Sequence, residues 1–404
     1  MAAILLAIIY IAFISLGLPD ALLGAGWPVM QPELAVPYGY AGLASMIISG
    51  GTILSSMFSS RVLKRFGTGL VTALSVVLTA VALFGIGVAP SFWWILLAAV
   101  PLGLGAGAVD SGLNAYVAEH YESRHMNWLH CFWGVGALSG PLVLSALLSQ
   151  RASWRNAFLA IAVLQIILVA LLVVALPLWG KVRARMQAHS TDFHGVVPHR
   201  PLLYPLRITG VKLALAAYFF YCAIESTMGL WGASFLFKTK GLDFASAATS
   251  VSFFYASITL GRLLTGFVTY RMSNKNLIRG GGFVILGGVL LMLLPLPLPF
   301  ALGGFLLVGF GCAPIFPCML HETPDRFGAA NAQAIMGLQM AVAYIGSTFL
   351  PPLFGFIASS TTLALLPVFL LGYTIVLVVS TEVLRRSLAK RAAERSSKSG
   401  SSPV

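Results

Sequence analysis

Long apolar stretches separated by short polar breaks dominate the chain. Windows of about 20 apolar residues fall at 3–25, 40–60, 68–88, 92–117, 128–149 and 154–178. After a polar stretch they resume at 211–236, 246–270, 277–295, 298–319, 331–357 and 362–384. Each is long enough to cross the hydrocarbon core of a bilayer as a helix. Runs this long exclude an outer-membrane barrel, whose strands alternate over about ten residues. The expected fold is therefore an all-α membrane protein with twelve transmembrane helices in two six-helix halves. The first window has no basic residues before it and exceeds the apolar core of a signal peptide, so it reads as a retained helix.

Composition narrows the function class. Of 404 residues, 58% are hydrophobic and 9% are charged, with a mean hydropathy of +0.90. A soluble chain carries about 25% charged residues, so a soluble enzyme, a disordered protein and a nucleic-acid binder are all excluded. The formal net charge of +13 is a topology signal instead. With the N-terminus inside, 20 of the 25 Lys and Arg fall in cytoplasmic segments: 61–65, Arg124, the central stretch, Lys212, 271–279, Arg326 and 385–398. Arg151, Arg155, Lys238 and Lys240 fall outside. Both termini are thus expected in the cytoplasm of a cell whose cytoplasmic membrane holds the protein, with lipid as an obligatory partner. The expected division is an N-terminal half 1–178, a linker 179–210, a C-terminal half 211–386 and a tail 387–404, unstructured past the helix end.

The halves repeat under a shift of about 206 residues. Arg65 matches Arg271, the segment Gly103–Gly107 matches Gly309–Gly311, and Asp20 matches Glu225. Asp20 and Glu225 are each followed four residues later by a glycine, Gly24 and Gly229. Parallel repeats of this kind place a substrate site near the midplane between them.

Three of the 12 acids fall well inside spans, away from their ends: Asp20, Asp110 and Glu225. An ionised acid at the bilayer centre costs at least about 2.5–3.5 kcal/mol. Binding a proton removes that cost, so such a group is a natural proton carrier. A structural acid bonded to a neighbouring helix is the alternative. Asp110 lies in Gly103-Leu-Gly-Ala-Gly107-Ala-Val-Asp110-Ser-Gly112-Leu-Asn114, where small residues allow close helix approach and Asn114 stands one turn on. Asp20 follows Pro19, which frees a backbone carbonyl one turn back. Glu225 lies among Tyr218, Tyr221 and Trp231, an arrangement that suits a sugar ring and equally suits aromatic packing. Arg262, deep in its span, requires an acid, a carbonyl or water as partner.

Other polar groups carry weaker signals. Gln165, Asn331, Gln333, Gln339 and Tyr344 suit hydroxyl contacts or interhelical bonds. His130, at the start of the fifth span, is a candidate for proton gating or substrate binding. His120, His125 and His130, like His189, His194 and His199, recur every five residues, which is not a same-face spacing. Cys131, Cys222, Cys312 and Cys318 read as buried thiols. No metal site and no cofactor are expected, and no phosphate-binding G-x-x-x-x-G-K-[ST] loop is present. Gly136-Ala-Leu-Ser-Gly140-Pro141 is a small-residue packing face and a possible hinge.

The two halves, the basic loops and the Gly-Pro element resemble the major facilitator superfamily. Arg61-Val-Leu-Lys64-Arg65-Phe-Gly67 is similar to its signature loop, with Lys64 where an acid is usual. Three segments are similar to the fucose/glucose permease branch: Leu104-Gly-Ala-Gly-Ala-Val-Asp110-Ser-Gly-Leu-Asn114, Tyr221-Cys-Ala-Ile-Glu225-Ser, and Ser250 to Tyr255 running on to Gly261-Arg262. That resemblance implies sugar–proton symport, with proton coupling on Asp110 and Asp20. It implies a gating role for Arg65 and Arg271.

The leading expectation is import of a small, sugar-like solute by a monomeric proton symporter through alternating access. One proton moving down roughly 100 mV and one pH unit supplies about 3.7 kcal/mol, enough for several-hundred-fold accumulation. A proton antiporter exporting drugs or metabolites uses the same acids in the opposite direction. A non-transporting membrane sensor is the third reading.

Overall fold

The computed structural model describes residues 2–121, 123–187 and 204–399. Apart from two single 3-10 turns they form α-helices joined by short connections, with no strand among them. Among the described residues, twelve helical stretches are long and apolar enough to cross a membrane. In chain order the helices are α1 (Ala2–Asp20), α2 (Leu22–Leu34), α3 (Tyr40–Phe66), α4 (Thr68–Gly87), α5 (Phe92–His120), α6 (Ser123–Ser149) and α7 (Trp154–Gln187). They continue as α8 (Val211–Lys240), α9 (Phe244–Val268), α10 (Asn274–Leu293), α11 (Leu298–Cys312), α12 (Ile315–His321), α13 (Thr323–Phe327), α14 (Ala329–Ser360) and α15 (Leu366–Ser399). Val174 is 79% exposed and Leu97 65%, an apolar exterior suited to lipid rather than water.

The chain packs as two compact units. One holds Met1–Phe193 with Thr227–Thr259 and Thr348–Leu366, and the other His194–Ser226 with Leu260–Ser347 and Pro367–Val404. The first is centred on buried side chains from α1, α4, α5 and α7, among them Phe13, Val76, Leu113 and Leu172. The second has a smaller cluster of Val211, Leu215, Phe327, Ile335 and Leu384.

Proline chemistry explains the breaks. Pro19 has no N–H to offer the Ser15 carbonyl, and α1 ends at Asp20, one residue later. The freed carbonyl accepts the Gln165 side-chain amide at 2.8 Å, while the Ser15 hydroxyl donates back to Gln165 Oε1. Beyond Ala21 the helix resumes and reaches Leu34, well past the expected end at residue 25. Pro28 and Pro32 are carried inside it. The tenth span, expected as one helix over 298–319, is broken between Cys312 and Ile315 around Pro314. At the start of α9, Asp243 accepts from the Ser246 backbone N–H (3.0 Å) and hydroxyl (2.6 Å), an N-terminal cap. Those bonds hold its carboxyl below the usual range.

Two helices run past the ends of the apolar windows that predict them. The sixth span continues as α7 to Gln187, into the stretch expected as linker. The last helix runs to Ser399, so the tail is not unstructured from residue 387; its Ala, Lys, Arg and Glu residues are strong helix formers. The rest of the linker over 188–203, with Arg200 and the histidines at 189, 194 and 199, lies outside the described residues.

Glycines set the closest helix contacts. A Cβ on Gly103 or Gly107 would overlap the carbonyls of Ile48 or Thr52 on α3, and one on Gly105 would meet Ser75 on α4. The repeat shift of about 206 residues carries Gly105 and Ser75 onto Gly311 and Gly281, which meet between α11 and α10. The repeat therefore holds at the level of paired backbone contacts. On α6, Gly136 and Gly140 face the carbonyls of Ile14 and Leu18 on α1, and Pro141 continues the helix. Gly136→Leu should abolish recovery of monodisperse protein, because the obstructing atoms are backbone. Gly180→Leu, where a Cβ meets nothing, should leave the elution profile unchanged.

Candidate functional site

The acids of the spans lie in three settings, two in the first unit and one in the second. Asp110 sits half-buried on α5. One turn on, Asn114 Nδ2 donates to Asp110 Oδ1 and to the Asp110 carbonyl, both at 2.9 Å. The Asn114 side-chain oxygen is buried with no hydrogen-bond partner among the described residues. An orphaned buried acceptor costs about 1–3 kcal/mol, which a hydroxyl donated by a solute recovers. The helix itself is fixed. The Ser56 hydroxyl donates to the Gly107 carbonyl at 3.1 Å, and the Thr52 hydroxyl to that of Gly103 at 3.2 Å.

Asp20, at the end of α1, is exposed. Trp133 on α6 donates its indole N–H to Asp20 Oδ2 at 2.7 Å. The Trp133 ring meets Tyr255 of α9 edge to face, centroids 6.2 Å apart. Gly17 makes this possible, since a Cβ there would overlap the Trp133 carbonyl, and a Cβ on Gly229 would overlap the Tyr255 hydroxyl. An exposed carboxylate bonded to one amphipathic ring, which itself packs on a second, can accept solute hydroxyls while the ring covers a C–H face. Neither Trp133 nor Tyr255 was singled out as a site residue from the sequence. The signal for Trp133 is its place on the helix turn preceding Gly136, the packing face against α1.

In the second unit, Glu225 of α8 receives the Tyr221 hydroxyl and lies 3.8 Å from Arg262 Nη2 of α9. The two charged side chains are only 17% and 14% exposed. This is the partner that Arg262 required. Tyr221 is fully buried, and Tyr218 beside it donates to the Phe316 carbonyl of α12.

The remaining expected site residues are mostly absorbed by packing. Trp231 is fully buried, donating to the Pro351 carbonyl at 2.8 Å and meeting Phe354 edge to face. Gln165 is buried and occupied by Ser15, and Gln339 is buried and accepts the Thr323 hydroxyl at 3.0 Å. All three side chains are tied to protein partners in this structure. Asn331 donates to the Phe327 carbonyl and Tyr344 is half-buried; the side chain of Gln333 lies outside the described residues. His130 is half-buried two turns into α6, edge-on to Phe13. His120 stacks on Tyr116, and His125 bonds the Tyr10 hydroxyl at 2.9 Å. Cys312 and Cys318 are buried as expected, whereas Cys131 and Cys222 are only partly so. Arg65 and Arg271 are exposed at the matching ends of α3 and α9, and neither has an ion-pair partner among the described residues.

Comparison with known proteins gives this arrangement its context. The model of the Major Facilitator Superfamily matches residues 9–351. The chain belongs to the Major Facilitator Superfamily. It is accordingly a multi-pass membrane transporter and not an enzyme. Among superfamily relatives, it is 22% identical to the uncharacterized transporter y4wD of Sinorhizobium fredii, over 84% of this chain and 87% of the relative. It is 26% identical to the glucose/mannose transporter GlcP of Bacillus subtilis, over 79% of this chain and 78% of that protein. The superfamily fold is also shared with the crystal structure of a D-xylose-proton symporter, with a TM-score of 0.72 at 13% identity, covering 94% and 96% of the two chains.

Proposed function

We propose that this transporter imports a hexose or a related small polar solute together with a proton. The observation that carries the reading is Asp110 with Asn114: a half-buried carboxyl held by an amide donor, beside a buried acceptor left without a partner among the described residues. Ionised, Asp110 is held by the Asn114 amide. Protonated, it is neutral and crosses the low-dielectric state without the cost of a buried charge. Asp20 joins the coupling and binds solute hydroxyls with Trp133, while Glu225 tunes the exchange through Arg262.

The proposal places the chain in the fucose/glucose permease branch, which agrees with its similarity to a glucose/mannose transporter. Alternating access works between the halves 1–178 and 211–386, joined by the linker 179–210 and followed by the tail 387–404. Arg65 and Arg271 act at the gate, and His130 lines the solute path. The protein works as a monomer in the cytoplasmic membrane, with both termini inside.

The test is solute-driven proton movement. Adding hexose outside proteoliposomes that carry the protein and a pH dye should make the outer solution more alkaline, without any imposed gradient. Acidification on hexose addition would instead identify an antiporter. Trp133→Phe keeps the ring and removes the bond to Asp20. Without the indole N–H the Asp20 carboxylate loses the group that orients it, so the variant should raise the half-saturating solute concentration roughly threefold or more. An unchanged value would remove Asp20 and Trp133 from the solute site.

A further inference from the structure

A second site lies away from these acids, in the second unit, where the start of α10 and the short α13 meet the middle of α15. A cleft there is lined by Lys275, Arg279, Arg326 and Arg385, with Glu382 as its one carboxylate. That carboxylate is already shared three ways. Arg385 Nη2 lies 2.6 Å from Glu382 Oε1, Arg386 Nε 3.1 Å from the same oxygen, and Arg279 Nε 3.5 Å from Oε2. Arg326 pairs with the buried Glu322 at 3.2 Å. Burial nevertheless holds the Arg326 guanidinium below its usual pKa, so one carboxylate does not restore what water provided. Lys275 has no acidic partner among the described residues. Four cations line the cleft against two carboxylates, Glu382 and the Glu322 that pairs with Arg326, an excess of positive charge that suits an anion with several acceptor oxygens.

The wall of the cleft indicates what bears that anion. Phe283 lines it and is 49% exposed, with the Arg279 guanidinium 5.7 Å from its ring centroid. Val379 and Val383, on the neighbouring stretch of α15, are also exposed. The surface thus passes from guanidinium groups to exposed apolar side chains within about a turn of each helix, as the boundary between headgroup and acyl chain requires.

We propose that this cleft binds the phosphate group of an anionic phospholipid, whose acyl chains run along the exposed apolar side chains beside it. The basis is independent of which solute is carried.

Delipidated full-length protein in detergent is titrated with phosphatidylglycerol, phosphatidylcholine or inorganic phosphate. Bound lipid is counted by native mass spectrometry, and stability is followed by thermal melting. Phosphatidylglycerol should bind at least fivefold better than phosphatidylcholine, and Lys275→Gln with Arg279→Gln should erase most of that preference. Both side chains are exposed, so the lipid-free melting curve of this variant should match the parent's. A charge-matched control, Arg207→Gln with Lys212→Gln, should change the preference less than twofold. Equal losses in variant and control would overturn the site in favour of general attraction to basic loops. Stabilisation by inorganic phosphate without preference for phosphatidylglycerol would overturn the lipid as the source and keep the phosphate site.

Discussion

Asp110→Asn should abolish accumulation of solute against a gradient and leave counterflow of labelled solute intact. Asparagine preserves size and hydrogen bonding but carries no exchangeable proton, so the variant mimics a permanently loaded carrier. The energetic consequence is large. With about 3.7 kcal/mol of proton motive force available, the parent sustains several-hundred-fold accumulation, whereas the variant equilibrates at a ratio near one. Asp110→Glu, one methylene longer, keeps the proton and should retain part of the accumulation. The check is paired uptake and counterflow assays in proteoliposomes. Full accumulation by Asp110→Asn would remove the proton from this residue and move attention to Asp20, whose exposure suits proton exchange with water.

The second large effect concerns Arg262. It and Glu225 are 14% and 17% exposed, so removing one leaves the other charged in a poor solvent. Breaking a buried pair in this way costs about 3–5 kcal/mol, while replacing both partners with apolar groups is often neutral. Arg262→Met should therefore lower the melting temperature sharply, and adding Glu225→Leu should restore most of it. A single variant as stable as the parent would show that the 3.8 Å approach contributes no net stability. Transport separates structure from function here: a restored melting curve with lost transport in the double variant assigns the Arg262–Glu225 pair to the transport cycle.

What the sequence revealed depended on the range of the interaction. Spans are legible because a bilayer demands some 20 apolar residues wherever a helix crosses it. The interruption after Pro19 is legible for a similarly local reason, since a proline removes one named donor. Its consequence was not. Gln165 lies 150 residues from the carbonyl it takes, and only folding brings them together. Arg262 announced that it needed a partner without naming Glu225, because that pairing depends on how α8 and α9 are rotated against each other. Trp231 looked as much like a sugar platform as a packing ring until its N–H was found on the Pro351 carbonyl. Trp133 was overlooked because a tryptophan among apolar neighbours carries no periodic signal; its meaning comes from Asp20 on another helix. The extensions of α7 and α15 were missed for a different reason. Hydropathy marks where the membrane ends, not where a helix does.

The central claim is coupling of sugar uptake to inward proton flow, and one measurement addresses it directly. Labelled hexoses are offered to proteoliposomes with and without an inward proton gradient, at constant membrane potential. Uptake of at least one hexose above its equilibrium level, only when the gradient is present, is the predicted result. Uptake that ignores the gradient, or no uptake of any hexose by correctly inserted protein, would contradict it.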